Sequence, residues 1–251
     1  MSGHSKWSTI KRQKGLSDKK KGLIFSKLGA AITIAVREGG GVSDPASNFH
    51  LRLMIDKAKA ANMPKENITR AIERARGVGE SQLEEIMYEG YGPGGGAVMV
   101  EVATDNRLRT MQDVKTAFDK HGGTLASKGA VSYMFSHGGM ITIDAGGKSG
   151  DDLLTVAIEA GADDMVESNG VADLYTIPGN IHQVKEALEK QGIVVKDAQL
   201  TYRPTSMTIV SDPEQAQKIM KLIDVLEELD DVQKVHTNYE IPDAVVESIT
   251  S

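Results

Sequence analysis

The chain of 251 residues contains no cysteine. That absence removes disulfides, thiolate nucleophiles and cysteine-type zinc sites together, and it suits a reducing compartment, so the expected location is cytoplasmic. Long apolar runs are missing as well. The uncharged apolar stretch Leu28 to Val36 is nine residues between Lys27 and Arg37, far short of the roughly 20 that cross a bilayer. No membrane span is expected. The first seven residues, Met1 to Trp7, carry charge but no apolar core or small-residue cleavage site, so no secretory signal is expected either. Aromatic side chains are scarce, at 4% of the chain with a single Trp. What remains, 40% hydrophobic and 25% charged, is the composition of a folded protein with two or three modest cores.

The net charge of -6 is unremarkable until it is divided along the chain. Residues 1–79 hold ten Lys and six Arg against six acids, a balance of +10, and residues 80–251 hold thirteen bases against 29 acids, a balance of -16. Such a division points to a basic part that meets a polyanion, with an acidic part that limits non-specific association. The plainer reading is a basic domain docked on its own acidic neighbour.

Periodicity divides the chain in the same place. Ile24, Leu28, Ile32 and Val36 recur four residues apart and Gly39-Gly40-Gly41 ends the pattern, which predicts an amphipathic helix from Ser17 to about Glu38. Lys19, Lys20 and Lys21 sit in its first turn, where the macrodipole disfavours cations and an external anion would compensate. Asp44-Pro45 predicts the start of a second helix and Met63-Pro64 that of a third. Ser81 to Glu84 has capping-box spacing for one helical turn, and the glycines from Tyr88 to Gly96 predict a break in regular structure.

Beyond that break the pattern becomes α/β. Strand 97–103, helix 106–121 and strand 130–135 are answered by strand 206–210, helix 212–229 and strand 232–239. Between them, strand 140–144, helix 151–160, strand 163–167, a Ser168-Asn169-Gly170 turn, strand 171–177, helix 180–191 and strand 193–202 follow the order of a split βαβ unit. The predicted fold class is therefore α+β with three domains. A basic helical domain covers 1–79, a discontinuous ferredoxin-like α/β domain covers 80–136 with 205–251, and a second such domain, 137–204, is inserted in it.

Two segments carry candidate binding residues. In the first 27 residues, Lys6, Lys11, Arg12, Lys14, Lys19, Lys20, Lys21 and Lys27 face one acid, Asp18, which is an electrostatic footprint for phosphate. Trp7 among them offers a flat face for a base or a hydrophobic anchor. The alternative for the segment as a whole is a solvated tail. In Thr104 to Thr110, Arg107 and Arg109 lie beside a predicted helix start and can hold phosphate oxygens, while Asp105 or Asn106 caps the helix. Lys128 joins them if the loops cluster.

Gly3-His4-Ser5-Lys6-Trp7 with Ile10-Lys11, then Phe25-x-Lys27-Leu28, Gly39-Gly40, Leu51-Arg52 and Lys57 to Pro64, resembles the YebC/PmpR family. The resemblance continues through Tyr88 to Gly95, Thr104 to Thr110, His121-Gly122-Gly123 and Val131-Ser132-Tyr133-x-Phe135. Two departures are Gly29-Ala30-Ala31, where members often carry an Arg-Glu pair, and a longer loop at Gly41 to Asp44. The resemblance implies a three-domain protein without enzymatic activity, described in bacteria as a regulator of transcription that binds promoter DNA. Related proteins, among them the mitochondrial translational activator of cytochrome c oxidase, act with the ribosome. Bacterial members are implicated in relieving stalling on proline-rich stretches.

Three lookalikes are set aside. Gly90 to Gly95 precedes a strand and so does not link strand to helix as a dinucleotide fingerprint does. Ile143 to Ser149 sits where a P-loop would, but Thr142 occupies the position of its first glycine. The six histidines show no metal spacing, and no nucleophile elbow is present.

The sequence thus predicts a non-enzymatic, nucleic-acid-binding regulator of gene expression without cofactor or metal. Its partner is promoter DNA or, in the alternative, ribosomal RNA on the ribosome, and a monomer is the favoured state. With few aromatics, recognition is expected to run through the backbone.

Overall fold

A computed structural model describes residues 18–76, 83–147, 149–168 and 170–250. They form two compact units, one of residues 135–205 and the other of residues 18–134 with 206–250. The larger unit begins with three helices, α1 (Asp18–Glu38), α2 (Phe49–Ala60) and α3 (Lys65–Arg76). Ile32, Ala35 and Val36 of α1 are buried with Leu51, Met54 and Ala58 of α2 and Ile68 and Ala71 of α3. Thr33, buried among them, donates to the carbonyls of Gly29 and Ala71 at 3.0 Å each, which ties α1 to α3.

The second helix starts four residues later than Asp44-Pro45 predicts. Asp44 instead organises a turn of its own, accepting from the Ala46 N–H at 3.0 Å, and Arg52 donates to the carbonyls of Pro45 and Ala46. Asn48 caps the helix. Its Oδ1 accepts from the Leu51 N–H at 3.0 Å while its Nδ2 donates to the carbonyls of Ala35 and Val42 at 2.8 and 2.9 Å. One buried amide so satisfies a cap and both ends of the α1–α2 connection, and that use outweighs the local Asp-Pro signal.

Next come β1 (Glu84–Tyr91), β2 (Ala97–Thr104), α4 (Arg107–Lys120) and β3 (Thr124–Ala126). Glu84, expected in a helical turn, opens β1, and that strand stays regular to Tyr91, well into the segment read as a break. It pairs with β2 over its whole length, from Glu84 opposite Thr104 to Tyr91 opposite Ala97. Between Ala126 and Phe135 the chain forms a loop and a helical turn at Ser132–Met134, where sequence predicted a strand.

The smaller unit contains β4 (Phe135–Asp144), α5 (Gly150–Ala160), β5 (Asp164–Ser168), β6 (Val171–Thr176), α6 (Ile181–Lys190) and β7 (Val195–Pro204). Its sheet has the antiparallel order β5-β6-β4-β7, the arrangement of a split βαβ unit. Ile141, Ile143, Ala172 and Leu174 of the central strands are buried with Leu153 and Ala157 of α5 and Val184 and Leu188 of α6.

The chain then returns with β8 (Thr208–Ile209), α7 (Pro213–Glu227), β9 (Val232–Thr237), β10 (Tyr239–Glu240) and α8 (Asp243–Thr250). The helix α8 had no counterpart in the sequence reading. The larger unit's main sheet has the order β3-β1-β2-β9, with every pair antiparallel, and β8 pairs only with β10. Phe118 of α4 lies against Gly90, and Leu222 of α7 with Val98 against Gly92. These two helices therefore cover the face of β2 that carries Val98, Val100 and Val102. By the period of two, Glu85, Glu89, Glu101 and His236 belong to the other face.

Candidate nucleic-acid interface

Lys6, Trp7, Lys11, Arg12 and Lys14 lie outside the described residues. Lys19 and Lys20 fall in the first turn of α1, and Lys21 is exposed on the same helix. Lys27, counted with that basic run, has a different use. Its Nζ donates to the Glu227 carbonyl at 2.5 Å, a cation on the C-terminal end of α7 where the macrodipole favours it. Arg37 likewise donates to the Leu83 carbonyl at 3.0 Å. Part of the basic surplus therefore holds the helices to the acidic sheet domain, as the docking reading expects.

At the start of α4, Asn106 is the cap, its Oδ1 accepting from the Arg109 N–H at 3.1 Å. Asp105 pairs with the Arg109 guanidinium at 3.1 Å, and Asp231 pairs with it at 2.7 Å. Asp231 also accepts from the Thr110 hydroxyl at 2.6 Å and from that of Thr104 at 3.2 Å. Burial alone would raise the Asp231 carboxyl, but Arg109 and the threonines outweigh it and hold it below the usual range. Arg109 is thus paired with two carboxylates although half exposed, and Arg107 is exposed beside it.

Lys128 is exposed on a separate loop that β1 fixes in place. The buried Glu89 carboxylate, 3% exposed, accepts from the N–H groups of Gly129, Val131 and Ser132 at 2.7, 2.8 and 2.8 Å. Desolvation pushes this carboxyl up, and the three N–H groups overcome it and leave it lowered. Tyr91 donates to the Ala130 carbonyl at 3.0 Å. Arg107 follows the end of β2 that faces Glu84, and Lys128 is tied to Glu89, five residues along β1. Arg107 also meets β1 further along, where Tyr88, the neighbour of Glu89, donates to its carbonyl at 3.3 Å.

Residues that the sequence reading passed over also line the surface. Arg70 and Arg74, one turn apart on α3, border a cleft of about 870 Å³ together with Gly29, Ala30, Arg109 and the network around Asp231. Five carboxylates, Asp105, Asp113, Glu228, Asp230 and Asp231, line it against three arginines, so its charge does not suit a polyanion. No periodic or motif signal in the sequence marks that cleft, because it forms between segments far apart in the chain. The P-loop lookalike is used locally: Ser149 caps α5 and Asp144 pairs with Lys196 at 2.9 Å. Among the described residues, no group of three His, Asp or Glu is placed to hold a metal, and no helix is long and apolar enough to cross a membrane.

A group of carboxylates gathers from α1 and the sheet. Glu101 on β2 meets the His236 ring at 2.8 Å, Glu38 at the end of α1 meets that of His50 at 2.8 Å, and Glu85 on β1 is repelled by both acids. Desolvation first, then repulsion from Glu38 and Glu101, pushes the Glu85 carboxyl from its ordinary 4.5 up to about 7. A carboxyl raised on folding loses its proton more easily in the unfolded chain, so stability falls as pH rises from about 4.5 through 7. Glu85→Gln removes that loss. Thermal melts are expected to show the variant above the parent at pH 8 and level with it at pH 4.5; a lower melting temperature at pH 8 contradicts the assignment.

The comparisons with known proteins agree with this architecture. A family model described as TACO1/YebC protein N-terminal domain matches residues 5–78, and one described as TACO1/YebC second and third domain matches residues 83–239. A probable transcriptional regulatory protein of Aquifex aeolicus is 47% identical over 250 residues, spanning 99% of this chain and 100% of the relative. Another from Chloroflexus aggregans is 47% identical over 254 residues and spans 100% of both. The crystal structure of a conserved hypothetical protein from Aquifex aeolicus superposes with a TM-score of 0.84 at 48% identity, covering 90% of this chain and 93% of that one.

Proposed function

The chain belongs to the TACO1/YebC family, and from that premise we propose that it is a non-enzymatic regulator of gene expression that binds nucleic acid through its N-terminal domain, with promoter DNA as the target. The observation that carries this reading is the charge division. The segment matched by the N-terminal family model is the basic one, and the acidic remainder, residues 80–251 with a balance of -16, repels a polyanion. The names of the relatives, probable transcriptional regulatory proteins, support the regulatory part.

Lys6, Lys11, Arg12, Lys14 and Lys19 to Lys21 grip phosphate in this reading, Trp7 packs or stacks beside them, and Arg107 and Lys128 add contacts on the sheet domain. Arg109 acts indirectly, by holding the start of α4. The boundaries proposed for the three functional parts are 1–79, 80–136 with 205–251, and 137–204.

Neutralising Lys19, Lys20 and Lys21 together by glutamine is expected to weaken binding to duplex DNA similarly across sequences. It should lower the slope of log affinity against log salt by up to about three. The measurement is a salt titration of the full chain on promoter and random duplexes. An unchanged slope assigns these lysines to domain docking. Stronger binding of ribosomal RNA than of any duplex replaces the DNA target with the ribosomal one.

A further inference from the structure

Aromatic residues are few, and nearly every described tyrosine has a structural use. Tyr239 is buried and donates to the Pro93 carbonyl at 2.7 Å, Tyr91 donates to Ala130, and Tyr88 to the Arg107 carbonyl at 3.3 Å. The ring of Tyr175 lies 4.0 Å beneath the Arg203 guanidinium, and that of Tyr202 stacks on His137 at 4.8 Å. Tyr133 differs from all of them. It is 75% exposed and makes no hydrogen bond or ring contact among the described residues.

Tyr133 is also held out by an expensive device. Glu89 is a buried charge, and burying a carboxylate is costly unless fixed donors repay it. Three backbone N–H groups of the loop that leads to Tyr133 donate to Glu89, and the Ser132 side chain adds a further bond. Lys128 directly precedes Gly129, the first donor, and Tyr133 directly follows Ser132, the last, so a cation and a bare aromatic ring flank one carboxylate. A rigid ring loses little freedom on binding, and stacking of a base on it is insensitive to base identity.

We propose that Tyr133 is a stacking platform for an unpaired nucleobase, with Lys128 meeting the adjacent phosphate, so that this loop binds single-stranded nucleic acid. The site rests on the reading that the chain binds nucleic acid, and it deepens that reading by naming strand state as something the protein senses. A base inside a duplex already has both faces covered, so the platform takes only single strands, melted segments or ends.

Stacking and phosphate contact separate cleanly in a salt titration. On a single-stranded RNA probe, Tyr133→Ala in the full chain is expected to weaken binding about tenfold with the salt slope unchanged, since stacking releases no counterion. Tyr133→Phe should retain parent affinity. Lys128→Gln should lower the slope by about one. On a blunt duplex of the same length, Tyr133→Ala should bind as the parent does. Equal affinity of parent and Tyr133→Ala for the single strand, or equal losses on single strand and duplex, overturns the platform while leaving the proposed function intact. A parent chain that binds neither probe overturns both. Tyr133 is 75% exposed, so the variant is expected to melt with the parent; if it does not, the Phe variant and the Lys128 slope still decide.

Discussion

Glu89→Gln is expected to cost about 3 kcal/mol of folding stability at neutral pH, since hydrogen bonds to a charged acceptor contribute roughly 1.5–3 kcal/mol each and a buried unsatisfied donor costs roughly 1–3. The carboxylate accepts from Gly129, Val131 and Ser132 at once. Glutamine offers one oxygen, and its NH₂ turns donors toward the remaining backbone N–H groups. The lowered pKa fixes the sign of the pH dependence. A carboxyl lowered on folding contributes fully above the unfolded value near 4.5, and that contribution is lost as pH falls through the folded value. Parent and variant should therefore differ most at pH 7 and converge in acid. Denaturant unfolding at a series of pH values measures this, and a gap that persists undiminished in strong acid contradicts the charged role of Glu89. The loop at 127–134 should also become sensitive to proteolysis in the variant.

Gly96→Ala should cost at least as much, about 3 kcal/mol, through overpacking. A Cβ at Gly96 would stand 2.2 Å from Tyr239 Cε1 and 2.4 Å from Cζ. The ring cannot yield: Tyr239 is 2% exposed and its hydroxyl is held by the Pro93 carbonyl. The neighbouring glycine gives the control. Gly95 has φ +78 and open space where its Cβ would be, so Gly95→Ala meets only left-handed backbone strain, about 1–2 kcal/mol. The two substitutions are one residue apart and fail for different reasons. Tyr239→Leu should recover part of the Gly96→Ala loss, a coupling that a double-mutant cycle reads. Additive losses contradict the clash.

These two cases mark where the sequence was legible and where it was not. The inserted unit could be read almost element by element because its strands alternate and α5 is capped at both ends, by Ser149 and Gly161; local signals and tertiary pairing agree there. The strand β1 was hidden because Glu84, Glu85 and Glu89 lower its apparent strand propensity, and only pairing on both edges makes it one. The glycines of Tyr88 to Gly96 likewise do not signal a loose loop. Gly90 and Gly96 make room for Phe118 and Tyr239, residues far along the chain. At the candidate interface, charge counting located the basic domain. It could not foresee that Lys27 and Arg109 are paired with the Glu227 carbonyl and Asp231, nor that Tyr133 is left bare, because each depends on contacts across long sequence separations.

The pairing of β4 with β7 bears on how such an insertion is tolerated at all. Phe135 lies opposite Pro204, and the pairing runs on from there to Ile143 opposite Val195. Cα atoms directly opposite in an antiparallel pair are roughly 4.5–5.5 Å apart, so the entry and exit of the smaller unit sit side by side. The larger unit therefore closes this excursion as it would close a hairpin, and the entropy of gathering a long loop is met by the smaller unit's own folding. Its length can drift through evolution with little consequence for the sheet that hosts it, provided the two strands stay zipped at their base.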